Sequence, residues 1–578
     1  MNKTEKIICF LLAAALVGYL FFTSGKSGGE SARAAASDQN GAQRPTVAAA
    51  GRPAAPKSAS VPVKPSVPAE PEATAVLEND EVMVELTTRG ASVKKVVLKK
   101  YARDRGGVSE ENPPLAFDFR SAGLGELSGV PAAGGDASYR IVESASNRVV
   151  FANAAVVRAV TLDGDYRVTF KDVFKFPSDS LANSVSLGVM TMGAGKNDML
   201  SVDSWRMDGK GGEVVHHGDD DSPLKAYLSG GMGGCSGAPS AAGMPAVIPV
   251  EYAGEQKWIA LKNRFFVSAL VSSSMKNGGF SARISRDMRS ADYRPESVSA
   301  KVRFDSLPAQ RECVFYVGPK KQSLLWSLGG GEGMKDVMEF GMWSWVCYPI
   351  VYLLDLFNDF IPGYGIAIIL LTILVRLVFW PLTHKSTVGM RKMQELQPKM
   401  KEIQAKFKDN PQRMQQETWA LYRAEKVNPL SSCLPMLVQI PVFIALFNVL
   451  RSAVELRYAP FLWIADLSEP EGLFADVLPF GGLNVLPILM AATMALQSAL
   501  TPSTGDQTQK KMMVVIMPVM MLVMFYSFPA ALSLYWTLSQ IVSIVQMWMI
   551  RRSCEKKTEA LVPEVIDPPQ TRQMRRHG

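Results

Sequence analysis

Between Ala75 and Lys320 apolar residues recur at every second position. Val82, Val84 and Leu86 alternate with Met83 and Glu85, and Tyr166, Val168 and Phe170 alternate with Arg167 and Thr169. Val185, Leu187 and Val189 keep the same period, as do Val298, Ala300, Val302 and Phe304 ahead of Cys313, Phe315 and Val317. A period of two, with turn residues between the runs, predicts strands with one buried face and hence a β-sandwich. A stretch of roughly 245 residues is large enough to bury its own core.

After Gly329–Gly333 the period lengthens and the polar positions thin out. Met342–Phe360 is rich in aromatics (Trp343, Trp345, Tyr348, Tyr352 and Phe357) with Asp355 and Asp359 on later turns, which predicts an amphipathic helix lying at a membrane interface. Five apolar spans are then expected: Gly365–Leu382, Cys433–Leu450, Leu483–Leu500, Met512–Phe528 and Ala530–Ile550. Between the first two of these, Met393, Leu396, Met400, Ile403 and Phe407 form one helical stripe. Pro398 should kink that helix or begin a new one, and Asn410–Pro411 reads as an N-cap with a first-turn proline opening a second helix. The expectation over 385–428 is a helical hairpin, serving either as a docking surface or as a solvated connector.

The N-terminal end adds a further apolar run, Ile7–Phe22, preceded by Lys3 and Lys6. It fits a cleavable signal peptide or a retained anchor over residues 1–24, and either reading exports the residues beyond it. Residues 25–72 hold seven prolines among Ala, Ser and Gly without an aromatic, Leu or Ile, so they read as an extended tether. With the anchor retained the spans number six, and the fold class is multi-domain α+β: a β-sandwich domain over 73–320 and a helical membrane domain over 335–553, then a tail over 554–578.

Charge orients these parts. Lys385–Asn428 carries ten Lys/Arg against five Asp/Glu, whereas Arg451–Val485 carries two against five. The positive-inside rule puts both termini, the hairpin and the short Thr501–Lys511 loop in the cytoplasm, and residues 25–340 outside it. The overall charge of +8 over 578 residues is too dilute for a nucleic-acid partner. A mean hydropathy of +0.07 is the average of a polar tether, a water-soluble domain and an apolar body.

Candidate chemistry is sparse. Four histidines and six scattered cysteines exclude a zinc ribbon or a disulfide scaffold, and no metal or cofactor is expected. Ser229–Gly237 is glycine-rich but lacks the strand and helix of a phosphate loop. His216–His217 before Asp219–Asp221 reads as a solvated loop. A bridge between Cys235 and Cys313 stays open. No catalytic constellation of nucleophile and base stands out, so no enzyme activity is expected.

Arg376 is the exception. It lies near the middle of an apolar span, where a lipid-facing arginine is costly, so it should face protein or trapped water; the alternatives are that it snorkels to an interface or ties two helices together through a structural hydrogen bond. Thr372 shares its helical face, and Gln439, Gln497, Tyr535 and Gln540 supply polar partners for a positively charged pocket within the bilayer. Spans without Asp or Glu argue against a proton relay.

Tyr422–Leu450 (YRAEKVNPLSSCLPMLVQIPVFIALFNVL), Gly365–Ser386, Met390–Gln404 and Met517–Trp536 resemble the third span, second span, cytoplasmic hairpin and last two spans of the YidC-type membrane protein insertases. TTRGASVKKVVLKKY, WIALKNRFFVSAL and FYVGPK resemble the family's periplasmic domain. The resemblance implies an inner-membrane insertase and chaperone with a periplasmic β-supersandwich and a retained first span. It implies a substrate groove at Thr372 and Arg376, with Tyr535 and Trp536 facing the substrate. The partners it implies are nascent inner-membrane proteins and the Sec translocon, with recruitment of ribosome or signal-recognition-particle receptor through the hairpin. The short, mildly basic tail departs from relatives with long basic tails. Two other classes remain: a channel or secondary transporter for an anionic solute using Arg376, and a sugar-binding or envelope-remodelling protein acting through its outer domain.

Overall fold

The computed structural model describes residues 72–578, except 106, 120–121, 192–199, 209–210, 218–245, 273–274, 276–277, 287–294, 329–333, 426, 428–433, 475–481, 502–510 and 560–578. The expected anchor, nearly all of the tether, Asp219–Asp221, Ser229–Gly237, Cys235 and most of the tail lie outside the described residues.

The strands are antiparallel and come first in the chain. They are β1 (Thr74–Glu78), β2 (Val82–Thr87), β3 (Ser92–Ala102), β4 (Pro114–Asp118), β5 (Leu127–Ser128) and β6 (Arg140–Ser144). Next are β7 (Arg148–Ala152), β8 (Val156–Leu162), β9 (Arg167–Phe174), β10 (Asn183–Thr191), β11 (Ser201–Asp208) and β12 (Gly211–His217). The last six are β13 (Val247–Ala253), β14 (Gln256–Lys262), β15 (Phe266–Val271), β16 (Gly278–Arg286), β17 (Pro295–Phe304) and β18 (Gln310–Pro319). They build a four-stranded sheet β1-β2-β3-β4, a five-stranded sheet β13-β16-β17-β10-β5 and a nine-stranded sheet β12-β11-β14-β15-β18-β9-β8-β7-β6. The region is β-sandwich-like, as the period of two predicts.

The predicted inward faces are buried at Val82, Val84, Leu86, Val168, Phe170, Val298, Ala300, Val302 and Phe304. Val189 departs from the expectation. The pairing of β10 with β17 shifts register between Ser186 and Val189, and Gly188 there has φ +78°. Such a bulge adds a residue to one strand and reverses the alternation, so Met190 points inward in place of Val189. His216 and His217 are also a correction: they end β12, paired with Asp203 and Val202 of β11, rather than lying in a loop. Cys313 is a buried free thiol.

Ten α-helices are described after the strands: α1 (Gln322–Ser327), α2 (Ser344–Phe360), α3 (Tyr364–Val378), α4 (Trp380–Glu395), α5 (Gln397–Lys406), α6 (Pro411–Ala424), α7 (Leu434–Ser452), α8 (Val485–Leu500), α9 (Met517–Phe525) and α10 (Ala530–Glu559). The single helix expected over 365–382 is broken. α3 stops at Val378, and α4 leaves it at an angle of 59°. Pro381 lies in the first turn of α4, where its missing N–H costs nothing. A π-helical turn, Met512–Ile516, precedes α9, beside Pro518, which has no N–H for the carbonyl of Val514. By length and composition one described helix segment, Ala530–Ile550, is able to cross a membrane, or two if the bent α3–α4 pair counts as one span. Three shorter apolar helices, Gln439–Ser452, Val485–Leu500 and Met512–Phe525, accompany them.

In the α5–α6 pair, Pro398 and Asn410–Pro411 fall at helix starts. Asn410 caps α6, its Oδ1 accepting from the Arg413 N–H at 3.1 Å, and Pro398 sits in the first turn of the new helix α5. The predicted stripe is the covered face: Met393 and Leu396 pack with Val427 and Tyr422, and the Tyr422 hydroxyl donates to Met400 Sδ. Ile403 and Phe407 are half-buried on the same line.

One continuous core runs from the sheets into the helices. Arg264, between β14 and β15, donates to the carbonyls of Arg451 (2.7 Å) and Ser468 (2.6 Å) and pairs with Glu469. Arg457 reaches the opposite way, donating to the Ala102 carbonyl at 2.9 Å and lying 5.3 Å over the Phe266 ring.

Candidate functional site

Helix α3 carries no charge until its last turn, where Arg376 stands. The arginine is therefore at the end of the helix, and not at the middle of a longer one, because the chain breaks at Phe379. Its Nε donates to Ser539 Oγ on α10 at 2.8 Å, and Nη2 bonds the same oxygen. Its backbone carbonyl accepts from Gln546 Nε2 at 3.5 Å. A cavity of about 30 Å³ adjoins the guanidinium, lined by Val375, Phe379, Thr383, Gln439, Val442 and Tyr535 among others. A space of that size with several polar groups on its wall has room for about one water molecule. No carboxylate is among the lining residues, so the positive charge is met there by neutral dipoles.

The sequence-predicted residues fall into two groups. Gln439 and Tyr535 reach the Arg376 cavity. Thr372 is buried, but its hydroxyl donates to the Ile368 carbonyl of its own helix at 2.6 Å. Trp536 packs among Phe443 and Phe525, with ring centroids 5.0 and 5.6 Å away, and its indole N–H is buried without an acceptor. Gln540 is buried on α10 and Gln497 half-buried on α8, and neither lines the cavity.

The direct partner of Arg376, Ser539, is absent from the sequence-based candidates. Its signal was present as a helical period of polar residues within an apolar segment: Tyr535, Ser539, Ser543 and Gln546 recur on one face of α10. All four are buried.

A second polar cluster lies in the sheet region. Asp203, His216 and Glu339 bring ligand-type atoms within 4.8 Å of one another. Lys262, however, pairs with Asp203 and with Glu339, the latter at 2.7 Å, and His216 Nδ1 lies 3.0 Å from Asp203. The ammonium group thus takes the place a cation would occupy. Burial opposes charge on His216, but the hydrogen bond and charge of Asp203 outweigh it and raise its pKa. Lys320 nearby is buried and, with the Lys262 charge beside it, is pushed down to about 7. This network ties the 3-10 turn Met334–Met338 to β14, since Lys262 also donates to the Val337 carbonyl at 3.2 Å.

Two family patterns match successive parts of the chain. The pattern of the family described as 60Kd inner membrane protein matches residues 356–557, and that of the YidC periplasmic domain matches residues 248–353. A membrane protein insertase YidC from Prosthecochloris aestuarii is 32% identical over 528 residues, covering 86% of each chain. One from Chlorobaculum tepidum is 30% identical over 567 residues, covering 94% of each. One from Syntrophobacter fumaroxidans is 40% identical over 309 residues, 51% of this chain and 53% of the other. Among solved structures, an active YidC insertase with its first transmembrane domain resolved aligns over 83% of this chain and 94% of its own, at 19% identity and a TM-score of 0.32.

Proposed function

Since the chain belongs to the YidC family of membrane protein insertases, we propose that it receives the hydrophilic part of a nascent inner-membrane protein at the Arg376 cavity and releases the apolar part sideways into the bilayer. In this reading α3 with the start of α4, α7, α8, the Met512–Phe525 segment and α10 cross the membrane, and Ile7–Phe22 is a retained sixth span. Both termini and the α5–α6 hairpin are cytoplasmic, and residues 25–340 are periplasmic. The charge asymmetry between Lys385–Asn428 and Arg451–Val485 supports that orientation.

The observation that carries the reading is a guanidinium whose side-chain partner is one neutral serine. Arginine keeps its proton in protein interiors and offers five N–H donors. Those that Ser539 leaves free suit the backbone carbonyls or carboxylates of an incoming polar segment. Gln439 and Tyr535 extend the same polar surface. Helix α8 has 16 residues, which span about 24 Å against a hydrocarbon core of about 30 Å. Mismatch of that sign favours local thinning of the bilayer and shortens the path for a polar segment.

The α5–α6 hairpin would recruit clients, directly or through the ribosome or the signal-recognition-particle receptor, and the protein would act as insertase and chaperone alone or with the Sec translocon. Because Met393, Leu396 and Met400 pack inward against α6, recruitment falls to the outward faces, which carry Trp419 and the basic residues. The test is insertion of a small coat-type membrane protein into vesicles containing this protein, without ATP. Insertion that proceeds with wild type and Arg376→Lys and stops with Arg376→Ala supports the reading. Equal insertion by all three overturns the role of charge at that position.

A further inference from the structure

The loop between α7 and α8 contains a tight two-residue turn. Phe461 and Ile464 exchange both backbone hydrogen bonds, each 2.9 Å long, which leaves Leu462 and Trp463 at the tip. Leu462 has φ +54°. The first central position of such a turn ordinarily belongs to glycine, asparagine or aspartate, because a Cβ is crowded at positive φ. Here a leucine occupies it, and its side chain is 75% exposed. In water this position gains nothing from an apolar side chain that glycine would not supply with less strain.

The surroundings fix where the tip lies. Phe461 covers Gly365 in the first turn of α3; a Cβ at Gly365 would come within 2.1 Å of the phenylalanine ring. Ile464 is buried. Trp463 Nε1 donates to Glu471 Oε2 at 3.1 Å, and the two oxygens of that carboxylate accept from the N–H groups of Val485 (2.9 Å) and Leu486 (2.6 Å) at the start of α8. The turn is thus fastened to the beginnings of two apolar helices at once. The indole N–H is satisfied on the protein side, while the tryptophan ring stays 45% exposed. On the neighbouring connection, Phe360 and Ile361 are exposed immediately ahead of α3.

We propose that the Phe461–Ile464 turn is an interfacial anchor whose occupant is the phospholipid surface of the periplasmic leaflet, with Leu462 entering the acyl boundary and Trp463 lying at headgroup level. An aromatic with its polar end satisfied and its apolar face open suits the headgroup region, and an adjacent leucine gains from burial in the acyl boundary. The proposal rests on α3 and α8 crossing the bilayer, as in the functional reading above, since those crossings put the turn at the membrane surface. The anchor would hold the outer ends of α3 and α8 at a fixed depth.

The test places the photoreactive residue p-benzoylphenylalanine at 462 in the full-length protein. Parallel chains carry it at 541, an exposed position inside Ala530–Ile550, and at 142, an exposed position in β6. Each is irradiated in phosphatidylethanolamine–phosphatidylglycerol vesicles, and lipid adducts are read by mass spectrometry. Adducts at 462 and 541 but not at 142 are expected. Adducts at 541 alone overturn the anchor and leave the spans standing. A polypeptide adduct at 462, in native membranes, in place of lipid overturns it in favour of a protein partner. Absence of lipid adducts at both 462 and 541 overturns the spanning reading itself.

Discussion

Lys262 and Glu339 form an ion pair with Nζ 2.7 Å from Oε1, and this pair joins the sheet region to the segment that leads into α2. Lys262 is almost fully buried and also pairs with Asp203, which has no exposed surface. Replacing Lys262 by methionine keeps the volume but leaves buried carboxylate charge unmatched. Loss of one partner of a buried pair costs about 3–5 kcal/mol. The expected outcome for Lys262→Met is a lower denaturant midpoint for the sheet region in the full chain. The double variant Lys262→Met with Asp203→Asn should recover part of the loss.

The same cluster makes stability depend on pH in two opposing ways. Lys320 titrates at about 7 in the folded protein against 10.5 in a free chain. Between these values the unfolded chain holds more protons, so stability rises with pH across that window. His216 is shifted upward from 6.5, so its contribution is complete below 6.5 and fades as pH climbs through the folded value. Denaturant midpoints across neutral to alkaline pH check both. Lys320→Met should abolish the alkaline rise, and His216→Gln should abolish the decline. A wild-type midpoint that tracks Lys320→Met at every pH contradicts the assignment.

Ser539 separates charge from packing at Arg376. Ser539→Ala removes the side-chain partner of the guanidinium, with an expected stability loss of about 1–3 kcal/mol by thermal unfolding in detergent. Ser539→Asp keeps the arginine and supplies a carboxylate beside it, pairing the charge. Vesicle insertion should survive Ser539→Ala and fall sharply with Ser539→Asp. Full insertion by Ser539→Asp rules out an unpaired positive charge as the working feature.

Gly365→Ala tests the contact beneath the Phe461 turn. Alanine in a helix normally stabilises relative to glycine by about 0.5–1 kcal/mol. Here the new methyl would overlap the Phe461 ring, with the Phe461 Cβ itself at 2.7 Å. Overpacking of this kind costs about 1–3 kcal/mol, so the sign reverses. Thermal unfolding of Gly365→Ala should show a loss, which Phe461→Ala in the same chain relieves in part by removing the two closest ring atoms.

Much of the β-region was legible because strands such as β2 and β17 bury one face. Val82–Leu86 and Val298–Phe304 alternate in sequence and in burial alike. The pair β14–β15 was not legible by that rule, since Trp258–Leu261 and Phe266–Leu270 are buried on both faces and do not alternate. Nor was the bulge at Gly188, because a register shift leaves no periodic trace, only a glycine. His216 looked like part of a polar loop because its partners, Asp203 and Glu339, lie on other parts of the chain. At the site, Arg376 announced itself as the lone charge in an apolar run. Its place in the last helical turn did not, because the apolar pattern runs on past Val378 and only Pro381 marks the start of a new helix. Gln439 and Tyr535 line its cavity, whereas Gln497 does not and Trp536 packs among aromatic rings.

Glu469 takes part in two connections at once. Its side chain is gripped by Arg264 from the sheets, and its backbone carbonyl accepts from the Ala530 N–H, 2.9 Å away, at the first residue of α10. Leu467 likewise receives the Ala531 N–H at 2.9 Å. The sheets are therefore joined directly to the head of the helix that carries Tyr535 and Ser539. Glu469 thus shares with Leu467, Ser468 and Arg451 the task of coupling the sheets to the helix whose Ser539 holds the arginine.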